Sequence, residues 1–460
     1  MLQIYNTFSK QKELFKPIND PKVNMYVCGI TVYDYCHIGH ARTVLAFDVI
    51  YRYLLARGYQ VNYVRNITDI DDKIIKRAAE NNETIEDLVK RFTIAMHDDF
   101  KALGALAPNK EPCATHSIDQ MITIIEKLIT NGLAYAATNG DVYYHVRKFP
   151  TYGQLSHRHL DDLCVGARVE MNEDKQDAFD FVLWKAAKPG EPSWSSPWGK
   201  GRPGWHIECS AMATQFLSDT LDIHGGGYDL IFPHHENERA QSEGALHKKF
   251  VNTWMHTGFV EVHDEKMSKS LGNFFTIRDV LKTHDAQTIR YFLVASHYRS
   301  PVNYSEDNLQ QARTCCERLY LTLLDRKLSD VTLDENNPYV KRFYQAMDDD
   351  FNTPEALAVF CELSKEVNTV RTHQPHEADL LASLLKKLAN ILGLLTQDPQ
   401  TYLQQSKQAE LSHAEIDNLV RERDEARVNK DFAKADAIRK HLTDLNVILE
   451  DSVQGTRWRI

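Results

Sequence analysis

Residues 23 to 64 restrict this chain more than any other stretch. An apolar run, Val23 to Val27, breaks at Cys28-Gly29. After a loop, apolar residues return at helical spacing between Thr43 and Ala56, at Val44, Leu45, Phe47, Val49, Tyr51, Leu54 and Leu55. Gly58 ends that helix, and Gln60 to Val64 alternates as a strand does. Strand, helix and strand within about 45 residues make a parallel βαβ unit, with ligands at the carboxyl ends of its strands. The loop reads Tyr33-Asp34-Tyr35-Cys36-His37-Ile38-Gly39-His40. It leads into a helix N-terminus, where unpaired N–H groups and the helix dipole favour an anion. His37 and His40 can donate to a phosphate there, and Gly39 lets the backbone come close.

Residues 1 to 22 read as an irregular lead-in, and 83 to 103 and 117 to 131 as helices. Asp69, Asp71 and Asp72 suit either a Mg²⁺ or a helix start, and the good N-capping of Asp and Thr favours the helix start. From 134 to 204, short strand-like pieces alternate with Gly-, Pro- and Trp-rich loops, an insertion between two halves of one sheet. The sheet resumes with a helix, Trp205 to Ala213, and a strand, Leu221 to His224, running into Gly225-Gly226-Gly227-Tyr228-Asp229. Three glycines let a flat ring or sugar lie against bare backbone, with Asp229 accepting from ribose hydroxyls. Pro233 suits a first helical turn. A strand over 252–262 precedes Lys266-Met267-Ser268-Lys269-Ser270, a cationic loop able to close over a polyphosphate.

Beyond about 285 the pattern is helical, at Ala286 to Ser296, Asn308 to Leu324, Val340 to Met347, Pro354 to Thr369 and Ala378 to Leu394. A linker, Gln397 to Gln408, sets off a last unit with helices at Ala414 to Val428 and Phe432 to Asp444 and a strand at Val447 to Glu450. In its tail Trp458 sits between two arginines, placed to stack on a nucleobase.

His234 and Glu238 stand at i and i+4, which puts both on one helix face in metal-ligand spacing; His235 or Glu236 would serve as well. Cys28 and Cys209, on ligand-bearing edges of the same sheet, are candidates to complete the set. Eight cysteines in 460 residues, with no CxxC pair, are not a disulfide scaffold. A net charge of −10 excludes a basic, non-specific nucleic-acid binder, so any nucleic acid must be held by local patches. There is no leader pattern and no run that spans a bilayer, which points to the cytoplasm.

His37-Ile38-Gly39-His40 (HIGH) followed by KMSKS at 266–270 resembles the class I aminoacyl-tRNA synthetases. Tyr26-Val27-Cys28-Gly29, Asn66 to Lys73, Pro203 to Ser210, Phe232 to Gln241 and Met347 to Ala356 narrow the resemblance to the cysteinyl-tRNA synthetase family, over essentially the whole chain. The resemblance implies an α/β, Rossmann-like parallel-sheet catalytic domain with an insertion, then an α-helical bundle and a small C-terminal α+β anticodon-binding domain. The limits expected are 1–133 and 205–250 for the catalytic halves, 134–204 for the insertion and 251–307 for a stem-contact region. The bundle would take 308–396 and the anticodon-binding domain 397–460.

It further implies one Zn²⁺ per chain on Cys28, Cys209, His234 and Glu238. His37, His40, Lys266 and Lys269 would be catalytic, with His37, His40 and Lys269 on the ATP phosphates together with Mg²⁺. Gly227 and Asp229 would lie beside the adenosine, and Cys28, Gly29, Thr68 and Trp205 around L-cysteine. The activity implied is activation of L-cysteine to cysteinyl-adenylate and transfer to the terminal ribose of tRNA(Cys), by a monomer. Zinc–thiolate bonding would reject serine without an editing domain. A ligase joining cysteine to an amino sugar would share the catalytic half but lack the unit at 414–459. A non-catalytic RNA-binding relative would have lost His40, Lys269 or a ligand. Zinc hydrolysis would want a water-activating carboxylate, for which Glu236 is the obvious candidate.

Overall fold

The computed structural model describes residues 1–160, 174–262, 265–267, 274–404, 411–445, 447–452 and 455–459. They form two compact units. The first is Met1–Phe274 with Ser296–Asn303 and Gln345–Thr353; the second is Phe275–Ala295, Tyr304–Tyr344 and Pro354–Ile460.

The first unit is built on a four-stranded parallel sheet in the spatial order Val251–Thr257, Leu221–Gly227, Lys22–Thr31, Gln60–Thr68. Val23, Met25, Tyr26 and Val27 are buried on both faces of their strand, as a central parallel strand requires. Helix Ile38–Ala56 covers one face with Ala41, Val44, Leu45, Phe47 and Ile50. Chain order reverses between Leu221–Gly227 and Lys22–Thr31, which makes the crevice beyond their carboxyl ends the switch point where α/β sheets take ligands. Between the two pairs of strands, residues 134–203 contribute a five-stranded antiparallel sheet.

Several elements differ from the expectations above. The lead-in is a β-hairpin, Gln3–Asn6 with Gln11–Leu14. Its second strand is wholly exposed, so no alternation marks it; long-range bonds hold it, including Asn6 Nδ2 to Asn252 O at 2.9 Å. The first helix starts at Ile38, a few residues before the segment expected from about Ala41, because His37 and His40 form its cap. Strand 252–262 breaks at Gly258. Val260–Val262 belongs to another small sheet, beside Glu265–Lys266 and Val302–Asn303, and a Cβ at Gly258 would stand 2.3 Å from Ser300 O. Pro233 follows a cis peptide, and the regular helix begins at Glu236.

In the second unit, helices Glu306–Leu323 and Pro375–Ile391 pack with Arg290, whose Nε donates to Leu392 O at 2.8 Å. The expected linker contains a helix, Pro399–Gln404, with Tyr402 stacked on Tyr320 at 3.8 Å; residues 405–408 of it lie outside the described residues. At the C-terminus, helices His413–Val428 and Phe432–Asp444 cover a hairpin, Ile448–Ser452 with Gly455–Arg459. Trp458 is not an exposed stacking platform. It is 6% exposed, packs with Ile416, Val420 and Leu442, and donates from Nε1 to Asp417 at 2.7 Å. Among the described residues no helix is long and apolar enough to cross a membrane.

Candidate active site

A cavity of about 320 Å³ opens at the switch point, lined from the first strand and HIGH turn by Cys28, Gly29, His37, Gly39 and His40, and from the other half by Trp205, Gly227, Asp229 and Met267. The two histidines cap each other's backbone: His40 N donates to His37 Nδ1 and His37 N to His40 Nδ1, both at 3.3 Å, with the rings stacked at 3.6 Å. With each Nδ1 an acceptor, the proton of a neutral imidazole sits on Nε2, and both rings become donors there. Gly39 is needed for closeness, since a Cβ would lie 2.9 Å from the His37 ring and 3.4 Å from Met267 Cε. Met267 lines the cavity beside Gly39, and the Phe274 ring meets His37 edge-on at 5.0 Å. Lys266 ends strand Glu265–Lys266; Lys269 lies outside the described residues.

Beside the cavity floor, Cys28, Cys209, His234 and Glu238 are all buried, with one ligand atom from each within 4.8 Å of the others. Their placement follows from the fold: Cys28 lies towards the carboxyl end of the central strand Lys22–Thr31, Cys209 lies on helix Trp205–Phe216, and His234 just precedes helix Glu236–Leu246 while Glu238 lies in its first turn. Cys28 Sγ stands 3.7 Å from Cys209 Sγ and 3.3 Å from Glu238 Oε1, and His234 Nε2 is 3.0 Å from Glu238 Oε1. Tetrahedral zinc with Zn–S bonds of about 2.3 Å has an S···S edge of about 3.8 Å, so the thiol pair is already at ligand spacing. A second set, Cys28, His224, His235 and Glu238, shares two members. His224 Nε2 lies 2.7 Å from Glu238 Oε2, and His206 Nδ1 2.9 Å from His234 Nδ1, contacts of the kind that orient ligands from behind.

Ionisation runs the same way. Burial pushes the Cys28 thiol well up, and its bond to Cys209 adds to this. At Cys209 burial is outweighed by the bond from Cys28 and by His234, which bring that thiol down to about 6. Burial likewise opposes the charge on Glu238, yet His224 and His234 hold it well below the carboxylate range; His234 in turn is raised to about 10 by Glu238 and Cys209. Burial keeps His206 and His235 neutral and lowers His256 to about 3. At neutral pH a cation entering this cluster would meet a carboxylate and a ready thiolate, and would displace the protons of His234 and of the Cys28 thiol on binding.

Trp205 stacks on His234 at 4.2 Å and stays 39% exposed on the cavity wall. Thr68 is not among the cavity-lining residues. It is buried behind them, and its hydroxyl donates to Glu208 Oε2 at 2.9 Å and accepts from Asn66 Nδ2 at 3.2 Å. Asn66 Oδ1 accepts from Gly29 N at 2.8 Å, so Asn66 and Glu208, neither singled out by spacing, support the floor. Glu236 is not beside the cavity as a water-activating carboxylate: its Oε2 accepts from Ser156 N and Oγ at 2.8 and 2.9 Å. Nor do the three aspartates converge on a metal. Asp69 holds Thr115, Asp71 caps the helix beginning at Asp72, and Asp72 pairs with Lys185 and Arg202. Of the three glycines, Gly225 and Gly226 face Phe47 and His235 inside the protein, and Gly227 reaches the cavity.

Among known proteins, the chain matches the family model of the class I (C) tRNA synthetase catalytic domain over residues 14–314, the DALR domain over 342–396 and the cysteinyl-tRNA ligase anticodon binding domain over 411–459. It is 57% identical over 461 residues to the cysteine–tRNA ligase of Laribacter hongkongensis (strain HLHK9), covering 100% of both chains. It is 56% identical over 459 residues to the cysteine–tRNA ligase of Thioalkalivibrio sulfidiphilus (strain HL-EbGR7), again over 100% of both. The solved Mycobacterium tuberculosis methionyl-tRNA synthetase in complex with methionyl-adenylate is similar at a TM-score of 0.56 and 12% identity, over 81% of this chain and 89% of that one, a likeness of fold alone.

Proposed function

The chain belongs to the cysteine–tRNA ligase family of class I aminoacyl-tRNA synthetases, and from that premise we propose how its residues divide the work. It is a ligase that joins cysteine to tRNA(Cys) at the expense of ATP. We propose that Cys28, Cys209, His234 and Glu238 hold one Zn²⁺ per chain. The observation that carries this is the set of four buried donors, drawn from both halves of the sheet, at metal-ligand spacing beside the cavity that Cys28 lines. Bound there, zinc would supply a soft Lewis acid that favours a thiolate over a hydroxyl. A plain pocket separates cysteine from serine by only about 10- to 200-fold, so the donor set explains selection without an editing domain.

In the first step the cysteine carboxylate attacks the α-phosphorus of ATP and pyrophosphate leaves. The nucleophile is already an anion and needs no general base; the protein positions it and stabilises charge on the phosphates. His37 and His40 would do this from Nε2, with Lys266, Lys269 and Mg²⁺, while Gly227 and Asp229 face the adenosine. Gly29 and Trp205 would flank the amino acid beside Cys28, with Thr68 supporting them from behind. The second step passes the cysteinyl group to the terminal ribose of the tRNA and releases AMP. The domain limits given above, with 397–460 reading the anticodon, belong to the same proposal, as do a monomeric state and a cytoplasmic location.

Metal analysis coupled to cysteine-dependent ATP–pyrophosphate exchange, with serine as competitor, tests it. One zinc per chain is expected, and Cys209→Ser should lose metal and exchange together. Metal-free enzyme that still activates cysteine and refuses serine would overturn it.

A further inference from the structure

Arg42 follows the HIGH motif by two residues and is 2% exposed. Its Nη2 donates to His297 O at 2.6 Å and Ser300 O at 3.1 Å, and its Nη1 to Ser296 O at 3.4 Å. Burial lowers its pKa to about 10. A buried guanidinium is costly unless its donors are met, and the planar Arg fork can meet several carbonyls of one turn at once where a lysine cannot.

The turn it grips backs the opposite wall of the cavity. Tyr298 O accepts from Gly258 N at 2.8 Å, and Val302 N donates to Phe259 O at 2.9 Å. Gly258, Phe259 and Val260 line the cavity, and Val260–Val262 pairs with Glu265–Lys266, the strand leading into the lysine loop. From the far side the turn is held by Asp350, which is fully buried and accepts from Tyr298 OH at 2.8 Å and Arg299 Nε at 2.7 Å. One guanidinium thus joins the helix that begins at the HIGH turn to the turn behind Gly258, Phe259 and Val260, the stretch that runs into the strand paired with Glu265–Lys266.

We infer that Arg42 is a positioning residue for ATP, which sets the distance between the HIGH turn and strand Glu265–Lys266 by holding the 296–300 turn. The inference rests on the ATP seat proposed above. Full-length Arg42→Met, Arg42→Lys and Asp350→Asn are assayed by cysteine-dependent ATP–pyrophosphate exchange, varying ATP and cysteine separately, with metal content and thermal melting recorded. A misplacement of about 1 Å is worth about 100-fold in rate, so Arg42→Met should lose about that factor in kcat/KM for ATP, and the two milder variants about tenfold. KM for cysteine and metal content should hold. Constants for ATP and cysteine that fall in parallel, or a lowered melting temperature with unchanged ATP kinetics, would overturn the inference. If Arg42→Met does not fold, the same split in Arg42→Lys and Asp350→Asn decides. A wild type without exchange would remove the ATP seat itself and this inference with it, whereas an active wild type beside variants with unaltered ATP constants removes only the role of Arg42.

Discussion

Adding one methyl at Gly225 and at Gly227 separates packing from nucleotide binding. At Gly225 the new Cβ would stand 2.1 Å from Cζ and 2.4 Å from Cε1 of Phe47, and 3.1 Å from Met255 O. Carbon atoms settle at about 3.5–4.0 Å, so the shortfall exceeds about 1 Å. Phe47 is fully buried in helix Ile38–Ala56, so its ring has no open direction in which to swing and the helix must lift from the sheet. Overpacking of this kind costs about 1–3 kcal/mol, and a closed site belongs at the upper end. At Gly227 the nearest atom is Asp229 Oδ1 at 2.7 Å, the tip of a side chain that can rotate, and the next neighbour across the fold is Thr43 Oγ1 at 3.9 Å. Stability there should change by about 0.5 kcal/mol, as at open positions generally. The methyl and the displaced carboxylate would instead intrude where ATP is proposed to sit. Gly225→Ala should therefore lower the unfolding free energy by about 3 kcal/mol and leave the KM for ATP within about twofold, whereas Gly227→Ala raises that KM about tenfold or more. Denaturant unfolding and ATP–pyrophosphate exchange give the two readouts. Phe47→Leu should relieve Gly225→Ala with a coupling of about 1 kcal/mol or more. A stable Gly225→Ala enzyme with a raised KM for ATP would refute the packing of Gly225 against Phe47.

Thr68→Val removes the hydroxyl between Glu208 and Asn66, leaving buried polar groups unmet at about 1–3 kcal/mol; the KM for cysteine should rise about tenfold or more with the KM for ATP unchanged, and an equal change in both would leave Thr68 a purely structural role. His97 Nε2 lies 2.5 Å from Glu111 Oε2, a bond that raises the imidazole pKa against the partial burial that lowers it. Such a group stabilises the fold below its unfolded pKa of about 6.5 and loses that contribution as pH climbs through the raised folded value. Relative to His97→Gln, the wild type should lose at most about 1 kcal/mol over that climb, since His97 is half exposed and screened; parallel unfolding curves from pH 6 to 9 would refute it. Trp458→Ala should cost the C-terminal unit about 3–5 kcal/mol and leave exchange intact, as near-ultraviolet circular dichroism and proteolysis can check; a stable unit with only weakened tRNA binding would restore the stacking role.

What the sequence disclosed depended on whether local pattern or distant pairing decides. Long apolar periods marked the Lys22–Thr31 strand, the helix after HIGH and the bundle helices within a few residues. The hairpin at Gln11–Leu14 and the break at Gly258 were hidden because partners far along the chain create them. Cys28 and Cys209, 181 residues apart, stood out only as candidates until strand order brought them together. Residues that act on others were harder still. No spacing marks Arg42 on its helix, and Asn66 stands out only as the start of the string Asn66 to Lys73. One rule would have found His224. Leu221-Asp222-Ile223-His224 alternates like a half-exposed strand, yet a strand followed by a glycine-rich loop in a βαβ setting is central and has no solvent face. Its polar residues must then be paired, and they are: Asp222 accepts from Ile18 N and Asn24 N, both at 2.7 Å, while His224 meets Glu238 at 2.7 Å. A buried polar face on a central parallel strand is costly enough that something must require it, and here one end serves the chain's own backbone and the other a carboxylate of the proposed metal-ligand set.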